Sequence, residues 1–519
     1  MTNMGSGTSR RARVAAVGIL SALALVASAC GTRLTAAQQA QAQGSSSANG
    51  AGGSGASSAL GASGSSTGSG AAGTGASSTG SAGAGSTSGA AGTGGARTGA
   101  AAAASTTTKT TVAAATKPVA GAASAGACGA DGTQTPAGGN GGATATGVTA
   151  NSITVGNIAS LSGVAPGLTQ SAQQATEAWA AYVNSTGGIC GRQIKVSPYD
   201  DGNNSGTNYS DAQQACSSDF AMVGNASGFD DGESQAVAAC SIPTLGAEIS
   251  TAAAGATADI FGASPGNEHY WSLGPAVYLK ATYPTAIQHA AMIYLNVSAT
   301  QTQATHEVDA YKSVGFNYVY DQSTTATNSN YAANVQAMQS AGAQYVTEYS
   351  DASSAERLLQ SMQQANWSPP VVDWFSEEYS PQFAQQTQPE SNGDLVLMSA
   401  TAAYEEASSN PGMQLMESWL NRVAPGYHQD IFAILAWSAG LAFEQAAKAV
   451  GPNLTRPALL AQIQQITNWT GGGITPPVNI GGKIPSKCFD YFKIVNGAFQ
   501  RVYPTAPNTY DCNTGFYQY

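Results

Sequence analysis

Between Leu34 and Gly147 the chain carries four charged residues, Arg97, Lys109, Lys117 and Asp131, and is otherwise built almost wholly from Gly, Ala, Ser and Thr. Such a stretch cannot bury enough apolar surface to offset the entropy of ordering it. A compact fold must come from the residues beyond Gly147, roughly 370 of them, enough for about two domains of ordinary size. Charge divides near the same place. The first 133 residues hold seven Lys/Arg and one acid; the chain totals 19 cations and 30 acids, so the remainder carries 12 against 29, a net −17. Binding a polyanion needs clustered Lys and Arg. No such run exists there, and nucleic acid is excluded as an expected partner.

At the N-terminus Arg10, Arg11 and Arg13 precede an apolar run over 14–26 and then Ala27-Ser28-Ala29-Cys30. Charged, apolar and small-residue regions in that order read as a secretory signal, and the apolar run is too short to span a bilayer comfortably. The small residues before Cys30 resemble the lipobox of bacterial lipoproteins, with Ala27 where that pattern prefers Leu or Val. The resemblance implies cleavage before Cys30, its lipidation, and a membrane anchor. Residues 31–146 then read as a disordered linker whose reach, on the order of 60 Å, holds the folded body off the membrane.

Six cysteines remain, Cys128, Cys190, Cys216, Cys240, Cys488 and Cys512. An even number in an oxidising compartment predicts three disulfides, with fifteen pairings open in principle. The near neighbours Cys216 with Cys240 and Cys488 with Cys512 are favoured, which leaves Cys128 with Cys190 to tie the end of the tail to the body. No two of these cysteines are close in sequence and the four histidines are scattered, so no metal and no cofactor are expected. Asp201-Gly202-Asn203-Asn204-Ser205-Gly206 imitates a calcium loop, but its twelfth position is Ala212, where a bidentate Glu is required. Gly481-Gly482-Lys483 imitates a phosphate loop but lacks the following Ser/Thr.

From Ser152 onward strand-like and helix-like runs alternate. Residues 153–158 read as a strand and 170–184 as a helix with Ala175, Ala178, Trp179 and Tyr182 on one face; Gly187-Gly188 stops it. The alternation continues to about 245, then repeats from 290 to 365, with further strands near Val371 and Leu395. This predicts an α/β fold of two doubly wound, mainly parallel lobes in series. Ligands of such sheets gather where strand carboxyl ends, loops and helix N-termini converge.

Particular residues resemble a known family. Leu161-Ser162-Gly163, Gly187-Gly188-Ile189 with Gly191-Arg192, the strand ending Tyr199-Asp200-Asp201, Met222-Val223-Gly224, Ser241-Ile242-Pro243, Ser250-Thr251 and Ile474-Thr475-Pro476-Pro477-Val478 look together like the type I solute-binding proteins of ABC importers, especially the branched-chain amino acid branch. The resemblance implies two lobes joined by three crossings that close on a ligand. It places 147–273 with 400–487 in the first lobe, and 274–399 with 488–519 in the second.

The resemblance also implies ligand loops at Ser162, at Ser227 and Gly228, and at Glu248, Ser250 and Thr251, where backbone N–H groups and hydroxyls suit a carboxylate or amide; helix capping is the competing role for these hydroxyls. Two departures stand out. Gly228 occupies the place of a second Ser, and Trp374-Phe375 falls where an acid often holds the ligand ammonium. Asp351 is the acid expected to contact the ligand from the second lobe, with Trp374 and Phe375 stacking on it. The chain is thus expected to be a monomeric, non-enzymatic, extracytoplasmic lipoprotein. It would deliver a small solute, an amino acid, amide or organic acid, to an ABC transporter permease. A ligand-sensing receptor subunit is the alternative, and a hydrolase would need an acid/base pair clustered in the cleft.

Overall fold

The computed structural model describes residues 128–266 and 269–519. The signal segment 1–30, Cys30 and the linker as far as 127 lie outside the described residues. Strands β1 (Ser152–Ala159), β2 (Gln193–Asp200), β3 (Ala221–Val223), β4 (Thr244–Glu248) and β5 (Ile260–Ser264) form a parallel sheet in the order β2-β1-β3-β4-β5. β6 (Tyr270–Ser272) stands apart from it. β7 (Ala290–Leu295), β8 (Tyr318–Thr324), β9 (Tyr345–Tyr349), β10 (Val371–Trp374) and β11 (Leu395–Met398) then repeat the same winding, β8-β7-β9-β10-β11. β12 (Asp490–Val495) and β13 (Ala498–Tyr503) extend the second sheet antiparallel beyond β11. The result is two doubly wound, mainly parallel lobes. Parallel sheets need cover on both faces, and the central strand runs are accordingly buried nearly throughout, as in Val371–Trp374 and Leu395–Met398, while the edge strands β2 and β8 are partly exposed.

The chain passes between the sheets three times: after β5, after β11, and before β12. At the first passage β14 (Phe516–Gln518) pairs antiparallel with β6, Tyr517 opposite Trp271. The middle return brings the helix Ile431–Val450 against β4 and against the helix Gln170–Ser185. Ile431–Val450 is buried on almost every side over its first half, where its one polar side chain, Ser438, accepts the Trp469 indole N–H at 2.9 Å. Asp430 caps it by accepting the Ala433 N–H at 3.0 Å, and the same carboxylate accepts the Ser171 hydroxyl at 2.7 Å from the crossing helix. Among the described residues no helix is long and apolar enough to cross a membrane.

Disulfides join Cys128 to Cys190, Cys216 to Cys240 and Cys488 to Cys512. The linker boundary read from composition is too late. Residues 128–146 are packed: Cys128 and Asn140 are buried, and the turn before β2 takes up the segment through Cys190 N–H to the Gly132 carbonyl and Gly191 N–H to the Thr133 carbonyl. Arg192, fully buried, donates to the carbonyls of Asn140, Gly142, Thr149 and Pro452. Composition cannot reveal this, because the partners of Arg192 are backbone carbonyls, which every residue type supplies.

Gly440 lies where Ile431–Val450 crosses Trp179: a Cβ there would stand 2.4 Å from the indole. Gly→Ala inside a helix ordinarily stabilises by about 1 kcal/mol. Here the rigid, fully buried ring cannot move aside, so Gly440→Ala is expected to destabilise by about 1–3 kcal/mol. Denaturant titration reads the sign directly.

Candidate functional site

All parallel strands in each lobe deliver their carboxyl ends to one edge, and the loops there carry the candidate residues. In the first lobe these are the loops after β1, β3 and β4; in the second, those after β7, β9 and β10. The two sets meet. A methyl placed on Gly228, after β3, would touch Ala299 at 3.9 Å, at the start of the second-lobe helix Ser298–Val314. The charge of Glu248, at the end of β4, acts on Glu377, beyond β10.

The first-lobe groups are held by the acids Asp230, Asp201 and Asp200. Asp230 accepts the Ser250 N–H at 2.7 Å and the Thr251 N–H at 3.0 Å. The Ser250 hydroxyl donates to Glu248 at 3.1 Å, and the Thr251 hydroxyl caps the short helix Ala252–Ala256 through the Ala254 N–H. Ser227 donates to Asp201 and accepts the Phe229 N–H at 3.0 Å. Ser162 is exposed, its N–H bound to Asp200 at 3.1 Å. Gly163 beside it has φ 93°, and a Cβ there would stand 2.0 Å from the Gly202 carbonyl, so only glycine permits this loop contact. The structure therefore brings Ser227, Gly228, Glu248, Ser250 and Thr251 to one edge, with the hydroxyls engaged inside the lobe.

In the second lobe the picture departs from the sequence expectation. Asp351 is the N-cap of the helix Ala352–Gln364, accepting the Ser353 and Ser354 N–H groups at 3.0 and 3.2 Å and the Ser354 hydroxyl at 2.7 Å. Trp374 is a core residue: it is 0% exposed, it packs edge-on against Phe383, and its indole N–H donates to Asp394 at 2.9 Å. It has no face left for stacking on a ligand. Phe375 is half-buried against Tyr349. The acids that do stand at this edge are Glu348, in β9, and Glu377 and Glu378 in the 3-10 turn after β10. Glu348 accepts the Ser350 hydroxyl at 2.8 Å through one oxygen, while its other oxygen, Glu377 Oε2 and both oxygens of Glu378 are buried without a hydrogen-bond partner. Arg357 stands near Glu348, its guanidinium donating to the hydroxyls of Ser353 at 3.1 Å and Ser354 at 2.7 Å.

Sequence reasoning missed these three glutamates. The signal for Glu377-Glu378 was present as an acidic pair just past a strand's carboxyl end, directly after Trp374-Phe375-Ser376. Glu348 gave no signal, because an acid at a strand's end reads as solvated. Among the described residues, no group of three His, Cys, Asp or Glu side chains is arranged to hold a metal ion.

Burial pushes Asp230 up to about 7, Glu248 up to about 7 and Glu348 up to about 8; burial and then the nearby Asp230 push Glu233 up to about 8. An acid raised in this way binds its proton more tightly in the folded chain than in the unfolded one. The native state then holds the extra protons between about pH 4.5 and pH 8, so stability is fully present at the acid end of that window and falls as pH rises through it. Each fully buried group contributes up to about 1.4 kcal/mol per pH unit. The expected outcome is a melting temperature that drops between about pH 5.5 and pH 8 in calorimetry; a flat or rising profile would contradict the burial of these carboxyls.

The sequence profile described as periplasmic binding protein matches residues 152–497. Among solved structures, a fatty acid ABC transporter substrate-binding protein from Thermomonospora curvata superposes with a TM-score of 0.60 at 16% identity, over 70% of this chain and 97% of its own. A solute-binding protein of an R. palustris ABC transporter in complex with benzoate gives 0.57 at 16% identity, over 69% and 97%. A branched-chain amino acid transporter substrate-binding protein from Streptococcus pneumoniae in complex with isoleucine gives 0.56 at 14%, over 68% and 99%. No curated protein sequence matches the chain. These likenesses share the two-lobed fold, and since the profile match spans about two thirds of the residues and takes in both sheets, the chain belongs to the periplasmic binding protein family.

Proposed function

We propose that this chain is the extracytoplasmic solute-binding component of an ABC importer, which captures a small polar or amphipathic solute between its lobes and passes it unaltered to a membrane permease. The supporting observation is the meeting of two sets of strand-end loops, with Gly228 of the first lobe beside Ala299 of the second and the charge of Glu248 acting on Glu377. A ligand that touches both sets gains its full contact only when the lobes are closed. Its differential affinity therefore favours closure, and a permease reads the closed form. Lipidation at Cys30 and a tether over 31–127 complete the proposal, with the lobes divided as 147–273 plus 400–487 and 274–399 plus 488–519.

A screen of amino acids, amides, amines and organic acids by thermal stabilisation tests it. A true ligand at 100 times its dissociation constant adds about 2.7 kcal/mol, and small-angle scattering should show the body contracting on binding. Chemical conversion of the stabilising compound would refute the role. Ser250→Ala is expected to weaken binding by about 1–3 kcal/mol. Asp351→Ala, by contrast, is expected to cost about 1 kcal/mol of stability through the lost helix cap and to leave affinity nearly unchanged, as calorimetric titration of the two variants would show.

A further inference from the structure

The charges at this edge do not match those a carboxylate ligand requires. The backbone N–H groups of Ser250 and Thr251, which open the helix after β4 and would be the anion-binding donors of the first lobe, both point to the chain's own Asp230. The anion position is filled from within. Facing it, Glu377 feels the charges of Glu248 and Glu348, and Glu378 those of Glu348, Glu377 and Asp351. Among the described residues the cation acting on this group is Arg357, through Glu348, and its guanidinium is engaged by two serine hydroxyls.

A second observation points the same way. Glu378 is 0% exposed and neither of its oxygens has a hydrogen-bond partner; one oxygen of Glu348, at 1% exposure, is likewise without one. Buried acceptors left unpaired are costly, and like charges packed together add to the cost. A chain that tolerates both holds acceptors in place for donors that arrive from outside. Ammonium and guanidinium groups supply such donors with the compensating charge. An added carboxylate would worsen the imbalance.

Resting on the solute-capture reading above, we propose that the interlobe site selects a small organic cation with two or more amino or guanidino groups and rejects solutes whose polar group is a carboxylate. Glu248 holds one end from the first lobe, and Glu377 and Glu378, with Glu348 behind them, hold the other. Because the acids are partly protonated while alone and must ionise to pair with the cation, binding releases protons.

The test uses the full folded body with 1,4-diaminobutane, agmatine and spermidine as cations, and benzoate, glutarate and isoleucine as carboxylates. The expected result is that one or more of the cations stabilise the protein and none of the carboxylates does, with affinity rising from about pH 6 to pH 8 and a buffer-dependent binding enthalpy that reports the released protons. Glu248→Gln and Glu377→Gln should each weaken cation binding by about tenfold or more while raising the melting temperature of the ligand-free protein, since each relieves a crowded like charge. Carboxylates that bind where the cations do not would overturn the cation assignment and leave solute capture standing. Failure of all three cations would overturn the cation assignment, and the solute-capture reading then stands or falls on the wider screen that includes amides. Glutamine variants that melt lower than the parent would show these acids to be structural and would sink the inference on their own.

Discussion

Because a parallel sheet sends every strand's carboxyl end to the same edge, a single topological choice decides where this molecule can do anything. Five parallel strands in the order β2-β1-β3-β4-β5, repeated as β8-β7-β9-β10-β11, produce two edges crowded with loops. Those loops are irregular backbone with unsatisfied groups, and each must be settled by a side chain, a ligand or water. The first lobe settles many of its own: Asp230 takes two amides, Asp201 takes a serine hydroxyl, and Asn225 bridges Glu233 and the Ile158 amide, while one oxygen each of Asp211 and Asp231 stays unpaired. The second lobe leaves carboxylate oxygens unsettled. What marks the second edge is that its unpaired oxygens fall on three neighbouring glutamates, Glu348, Glu377 and Glu378.

The fold was legible where periodicity and punctuation agree. The strand at β1, the helix Gln170–Ser185 with Trp179 inward, and the alternation through β11 follow from apolar spacing and from glycines such as Gly187 and Gly188 at positive φ. Elements that escaped notice were short or depended on distant partners. The strand β14 is three residues long and exists only because β6 offers an edge. The packing of 128–146 depends on Arg192, whose role as a carbonyl clamp is invisible until the turn before β2 has formed.

The site was legible to the level of loops but not of side chains. Ser227, Glu248, Ser250 and Thr251 do converge, because strand ends mark themselves in sequence. What the Ser227 hydroxyl and the Ser250 amide bond to depends on partners, Asp201 and Asp230, that stand 26 and 20 residues away. Trp374 was misread for a related reason. The residue ending a strand can point into the core or into the cleft, and the side it takes is fixed by the neighbour it finds, here Asp394 on the adjoining loop. A large aromatic is more often settled in this way than left free for a guest.

The clasp made by Cys128, Cys190 and Arg192 has a geometric consequence. It grips the chain at the amino end of β2, whereas the Ser162 loop is bonded to Asp200 at the carboxyl end. Eight residues of extended strand put about 25 Å between the two points. A pull on the chain at Cys128 is therefore taken up by the rim of the sheet farthest from the strand-end loops, and leaves the carboxyl-end edge mechanically separate from it.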